Sequence, residues 1–156
     1  KSSFNKSCKL IICGYGKLSE EDAALIKSDN RIEFFGTVSK LELHDLRNKT
    51  DILVNPRPLI AENIFNFPSK LLEYMSYGKV IISTKTPGIP SQFNEMMIFT
   101  NDDLNDFSKT LISAANMSPD KQKHMLSHLA EYTAIHTWSY EARRFISFLK
   151  NLIKDK

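Results

Sequence analysis

The segment Phe65–Pro90, FNFPSKLLEYMSYGKVIISTKTPGIP, decides how the chain is to be read. A helical pattern opens at Pro68–Ser69, carries Leu71, Leu72 and Met75 on an apolar stripe, and stops at Gly78. A fully apolar strand follows at Val80–Ile82, and a turn rich in Pro and Gly lies beyond its carboxyl end. A helix start, a carboxylate (Glu73) one turn deeper and a loop at the carboxyl edge of a parallel strand are the parts of a nucleotide site.

The spacing has a physical logic. Free N–H groups and the positive dipole end at a helix start favour a diphosphate. Pro68 has no N–H, so the useful donors are the backbones of Ser69 and Lys70. Glu73 lies four residues past Ser69, which is roughly 6 Å along the axis. That is the reach from a diphosphate to the hydroxyls of its ribose, and one carboxylate can accept from both hydroxyls. Periodicity alone favours a second reading, in which Glu73 is the wet face of an amphipathic core helix.

Outward from this segment, apolar runs of strand length stand at Leu10–Cys13, Ile32–Phe35, Ile52–Val54, Val80–Ile82 and Met96–Phe99. Helical patterns fall between them, at about Ser19–Lys27, Lys40–Asn48 and Pro68–Tyr77. Strands that are continuously apolar suit a parallel sheet covered on both faces, and the alternation predicts a Rossmann-like, doubly wound α/β fold of about five strands. Beyond Phe99 the pattern is helical. Asn101-Asp-Asp caps one helix, Ser118-Pro119-Asp120 caps another reaching about Tyr132, and a last helix starts near Ser139. No repeat or low-complexity linker interrupts residues 1–156, which read as a single unit.

FPSKLLEYMSYGKVIIST and PGIP, preceded by the strand DILVNPRP, resemble the C-terminal donor-binding domain of glycosyltransferase family 4, which has the GT-B fold. The likeness is to the bacterial branch that builds capsular and surface polysaccharides, and it runs from about Lys9 to the C-terminus. It implies transfer of a sugar from a UDP-, GDP- or ADP-sugar to a polysaccharide or lipid-linked acceptor, with no required metal. In such families two glutamates stand eight positions apart on this loop and helix, and the second holds the ribose. Glu73 matches the second; the first falls at Phe65, which is not a glutamate. The glutamate that commonly follows the PGIP turn is Ser91 here. The resemblance also leads us to expect an N-terminal acceptor domain, and a first strand–helix unit with a basic clamp, beyond the residues present.

Other residues join the candidate site. Gly14-Tyr15-Gly16 follows the first strand, but a dinucleotide fingerprint needs a third glycine where Ser19 stands. The resemblance implies that Gly14 and Gly16 turn beside the donor pocket; a tight βα turn without ligand fits the residues as well. It also implies that the Val38 backbone meets the nucleobase, that Ser39 adds polar contacts, and that Gly88 and Ile89 approach the sugar or phosphate through their backbones. Arg57, between two prolines past the third strand, offers a bidentate contact to phosphate or a sugar carboxylate. Its alternative is a surface pair with Glu62. Lys70 and Lys85 add positive potential along this rim, or are simply solvated.

The remaining signals bound the function. A 42% hydrophobic, 25% charged chain with net charge +3 and no clustering of Lys and Arg is globular and gives no footprint for nucleic acid. Cys8 and Cys13 point to opposite faces of an extended strand, so they form no bridge within it, and a reducing, cytoplasmic setting fits. The triplets at Asn5, Asn48 and Asn116 match the glycosylation pattern but lack a secretory signal beside them. His124, His128 and Glu131 share a helix face that could seat a metal, yet without the HExxH arrangement a solvated face explains them better. The last helix pairs an apolar stripe with Arg143, Arg144, Lys150 and Lys154. The resemblance implies that it packs by folding back across the domains, which is the preferred reading; peripheral contact with the inner membrane face is the alternative. Two further functions remain open: a non-catalytic or partner-dependent nucleotide-sugar-binding module, and a sugar-nucleotide epimerase of the same fold.

Overall fold

The computed structural model describes residues 8–154, so the Asn5 triplet lies outside the described residues. The chain forms two compact units, Lys1–Thr50 and Asp51–Lys156, and no composition shift marks their join. The five expected parallel strands all form, two in the first unit and three in the second.

In the first unit, β1 (Leu10–Cys13) and β2 (Ile32–Gly36) pair in parallel, with α1 (Glu20–Ser28) between them and α2 (Lys40–Lys49) after them. Ser19 caps α1 by accepting the Asp22 N–H at 3.0 Å. This gives Ser19 a structural use at the position where a dinucleotide fingerprint has glycine. Ser39 and Glu42 form a reciprocal capping box on α2, with 2.8 and 3.2 Å bonds. Cys8 precedes β1, and both thiols are free.

In the second unit the sheet order is β3 (Ile52–Asn55), β4 (Val80–Thr84), β5 (Ile98–Thr100), all parallel. The central strand β4 is buried along its whole length, as a sheet covered on both faces requires. Its side chains alternate between two cores. Val80 and Ile82 pack with Ala114 of α5 (Leu104–Ala115) and Met125 of α6 (Pro119–Ile135). Ile81 packs with Leu71 and Met75 of α4 (Ser69–Met75), with Ile89, and with Phe93 of the 3-10 turn Ser91–Glu95. Gly78 ends α4 with a φ of 59°, a left-handed conformation costly for other residues, and its N–H reaches the Met75 carbonyl.

Three local expectations change. Leu72 is exposed rather than part of the core, because the buried stripe of so short a helix needs only Leu71 and Met75, one turn apart. The strand expected at Met96–Phe99 begins at Ile98. Met96 and Met97 are apolar because they are buried at the end of the 3-10 turn. A one-turn helix, α3 (Ala61–Ile64), stands in the loop after β3, and α7 (Trp138–Lys154) completes the chain.

Candidate functional site

The candidate residues of the second unit gather where β3 and β4 end. Asn55 and Ser83 are register partners on the two strands, and the Asn55 side-chain amide donates to Ser83 Oγ at 3.0 Å. Two residues on, the Arg57 N–H donates to Thr84 Oγ1 at 3.0 Å, which pins the loop between the prolines onto the end of β4. This is the carboxyl edge where open α/β sheets take ligands.

Arg57 has a partner, and it is not Glu62. Its Nε–H donates to Asn63 Oδ1 at 2.6 Å, while Asn63 Nδ2 donates back to the Pro58 carbonyl at 2.9 Å. Asn63 thus holds both the arginine and its loop, and leaves the two terminal guanidinium nitrogens to serve a ligand. The loop is tied down again by the Leu59 N–H donating to Asp102 at 2.7 Å and by Asn66 Nδ2 donating to the Glu62 carbonyl at 2.6 Å.

The turn beyond β4 meets the loop before α4 closely. A Cβ placed on Gly88 would stand 2.7 Å from the Asn66 carbonyl oxygen and 2.8 Å from its carbon, so only glycine fits there. Close approach of a neighbouring loop therefore explains Gly88 without invoking a ligand. Ile89 is buried in the core, with its N–H bonded to the Thr86 carbonyl at 3.0 Å. Thr86 itself is fully buried, and its hydroxyl has no hydrogen-bond partner.

At the start of α4, Pro68 is the cap and contributes no side-chain hydrogen bond. The first N–H returning to it is that of Leu71, at 2.9 Å, so no cap bond occupies the Ser69 and Lys70 N–H groups. Ser69, Lys70 and Glu73 are all exposed on this helix. Phe65, where the resemblance leads one to expect a first glutamate, is 87% exposed. Lys85 has two partners: its ammonium donates to Asn94 at 2.7 Å and lies 4.0 Å from the Phe99 ring centre.

The first unit carries Gly14, Gly16, Val38 and Ser39. The Gly14 N–H donates to the Gly36 carbonyl at 2.9 Å, and a Cβ at Gly14 or Gly16 would meet nothing within 4 Å. Ser39 accepts from Glu42 through its hydroxyl oxygen and donates its N–H to the Glu42 carboxylate, which leaves the hydroxyl proton as its remaining donor. Val38 is half-buried beside it.

The His124 and His128 rings are tilted by 58° with centres 4.6 Å apart, and His128 Nδ1 stands 3.8 Å from Glu95 rather than pairing along the helix with Glu131. No group of three or more His, Cys, Asp and Glu among the described residues could hold a metal ion. Nor is any described helix long and apolar enough to cross a membrane.

Asn63, Asn66, Thr86 and Asp102 were not foreseen from sequence. The available signal was isolated polar residues in the segments after β3, β4 and β5, and it does not say which of them face each other.

Solved structures share this architecture. Sucrose-phosphate synthase from Thermosynechococcus elongatus superimposes with a TM-score of 0.61 over 95% of this chain at 16% identity, using 39% of its own length. The Anabaena protein HepE, solved in complex with UDP-glucose, gives 0.55 over 83% of this chain and 37% of its own, also at 16% identity. HepE solved with UDP gives 0.53 over 97% and 42%, at 14% identity. The chain thus spans about two fifths of the length of the structures it matches. No curated protein matches its sequence. At these identities the superpositions establish the Rossmann-like α/β fold with its helical C-terminal part. The family model described as Glycosyl transferases group 1, however, matches residues 1–116, about three quarters of the chain, and the protein belongs to that family.

Proposed function

We propose that this chain is the C-terminal donor-binding domain of a glycosyltransferase that moves a sugar from a nucleotide diphosphate sugar to a polysaccharide or lipid-linked acceptor. One observation carries the reading: α4 starts with uncapped Ser69 and Lys70 N–H groups and carries Glu73 one turn later, in the same unit as the pinned Arg57 loop at the β3–β4 edge. The N–H groups and the Lys70 ammonium take the diphosphate, and the Glu73 carboxylate takes the ribose hydroxyls. Arg57 contributes its terminal nitrogens to phosphate or to an acidic sugar. The Gly88 and Ile89 backbones border the same edge.

In the first unit the reading assigns the Val38 backbone and the Ser39 hydroxyl proton to the base, and Gly14 and Gly16 to the turn beside it. Its contribution to catalysis is to position the donor and stabilise the leaving diphosphate, which basic groups and helix N–H donors do without a metal. That HepE was solved with UDP-glucose is consistent with a nucleotide-sugar donor here. A capsular or surface-polysaccharide pathway at the cytoplasmic membrane face belongs to the same proposal.

Calorimetric titration of UDP, GDP and ADP, each with and without EDTA, tests it. We expect one nucleotide to bind, insensitive to the chelator, and Arg57→Ala to weaken it. Failure of all three at millimolar concentration would count against an autonomous donor site. It would favour the partner-dependent module, a reading that the exposed Phe65 in the glutamate position already supports.

A further inference from the structure

Two arginines of the chain are met by acids. Arg31 holds Asp29 through three bonds of 2.6, 2.9 and 3.2 Å, and Arg144 Nη1 lies 3.1 Å from the Glu141 carboxylate. Arg57 differs. Among the described residues its side chain meets only the neutral amide of Asn63, at Nε and 2.6 Å. That amide cannot turn over, because its Nδ2 donates to the Pro58 carbonyl and so fixes Oδ1 toward the arginine. Asn63 therefore aims the guanidinium without neutralising it.

No carboxylate nearby takes up the charge. Glu62, the only acid between β3 and α4, is exposed and makes no ion pair with Arg57. Asp102 reaches the same loop, but there it accepts the Leu59 N–H. Arg57 is nonetheless half-buried. A partly desolvated cation, held in one direction with both terminal nitrogens unused, calls for an anion.

A nucleotide diphosphate sugar offers two kinds of anion, its diphosphate and an acid on its sugar. The diphosphate already has the Ser69 and Lys70 N–H groups and the Lys70 ammonium. A neutral sugar presents hydroxyl protons, which carboxylates are suited to accept. The segment between β3 and α4 is built the other way. Asn63 and Asn66 commit their amide N–H groups to carbonyls of the segment itself, and Leu59, Ile60 and Phe65 are exposed but apolar. The one polar side chain held in place and still unused is a fork of donors, which matches a planar carboxylate. We propose that the donor sugar is a uronic acid, its carboxylate bound end-on by Arg57 Nη1 and Nη2, with Asn63 as the residue that positions the arginine. The inference rests on the donor-site reading and names the substrate class of that site.

Calorimetric titration of UDP, UDP-glucose and UDP-glucuronate into the 156-residue protein separates the two anions. UDP-glucuronate should bind at least about tenfold tighter than UDP-glucose, with the preference shrinking at high salt. Arg57→Gln should bring the two sugars within about twofold of each other, whatever it costs bare UDP, and Arg57→Lys, which keeps the charge but loses the fork, should keep part of the preference. Lys123→Gln makes the same charge change on α6 and should leave the preference intact, which excludes the overall charge of the protein as its source. Phe65→Glu places an acid two residues past Asn63 at an exposed position, so it should fold normally and lower the preference with Arg57 still present. UDP binding without a preference for the uronate overturns the inference and leaves the donor reading standing. Equal losses for all three ligands in Arg57→Gln overturn it as well, and give the arginine to the diphosphate. Binding of none of the three removes the site itself, and the inference falls with the donor reading.

Discussion

Replacing Gly88 by alanine tests the closest backbone contact around the candidate site. The new methyl would sit 2.7 Å from the Asn66 carbonyl oxygen and 2.8 Å from the carbonyl carbon. Ordinary contact starts at 3.4 Å, so the turn or the Asn66 loop must retreat by about 0.7 Å (3.4 minus 2.7). Neither side yields freely. Ile89 beside the glycine is buried in the core, and Asn66 is tied to Glu62. Forced overpacking of this kind costs about 1–3 kcal/mol. In a protein of this length that corresponds to a melting-temperature drop of about 2–12 °C. Gly14→Ala is the matched control, since its methyl meets nothing within 4 Å and its φ is not positive. It should be neutral or gain about 0.4–1 kcal/mol through the unfolded state. Thermal melts followed by circular dichroism read both variants. Equal melting temperatures for the two would refute the reasoning, because they would mean that the turn and the Asn66 loop do not touch in solution.

Other perturbations discriminate between neighbouring residues. Leu71→Ala empties a fully buried position and should cost about 2–5 kcal/mol in chemical denaturation, while Leu72→Ala, on the exposed side, should stay within about 0.5 kcal/mol. Thr86→Val removes a buried hydroxyl without a partner, so the melting temperature should hold or rise; a loss of more than about 1 kcal/mol would mean that the hydroxyl is satisfied in solution. Acid should destabilise the fold through three hydrogen-bonded carboxylates. Arg31 hydrogen bonds hold Asp29 down to about 2, Ser39 lowers Glu42, and the Asn101 N–H followed by the Thr100 hydroxyl lowers Asp106. Each of these groups binds its proton more readily when unfolded. Their stabilisation is therefore complete above about pH 5 and lost as pH falls toward 2, and denaturant midpoints flat across that window would contradict it.

Much of the framework was legible because it rests on local chemistry. β4 reads as a buried parallel strand from its unbroken apolar run, Gly78 as a stop, and Asp103 and Ser118 as caps, since each signal involves residues within a few positions of one another. The apolar run ending at Phe99 misled at its start, because a methionine buried under a 3-10 turn and a methionine in a strand carry the same hydropathy. The site was legible in its parts but not in its pairings. Arg57 stands out between its prolines, yet nothing in the spacing selects Asn63 over Glu62 as its partner; the fold of the segment between β3 and α4 decides that. Lys85 looks like a rim cation until Asn94 and Phe99, brought near by a turn and a neighbouring strand, are seen to hold it. Gly88 reads as a turn glycine whose backbone could approach a ligand, and nothing in the spacing announces that the Asn66 backbone stands where its Cβ would be.

The central claim is that Glu73 reads the ribose of a bound nucleotide. Calorimetric titration of the preferred nucleoside diphosphate and its 2′-deoxy analogue, into the protein and into Glu73→Ala, measures this directly. The account predicts that the mutation weakens the ribonucleotide by about 1.5–3 kcal/mol, the range of a hydrogen bond to a charged group. The deoxy analogue should bind the unmutated protein more weakly, and the mutation and the missing hydroxyl together should cost less than the sum of the two. A Glu73→Ala protein that binds the ribonucleotide as tightly as the original would contradict the assignment and leave Glu73 as the solvated face of α4.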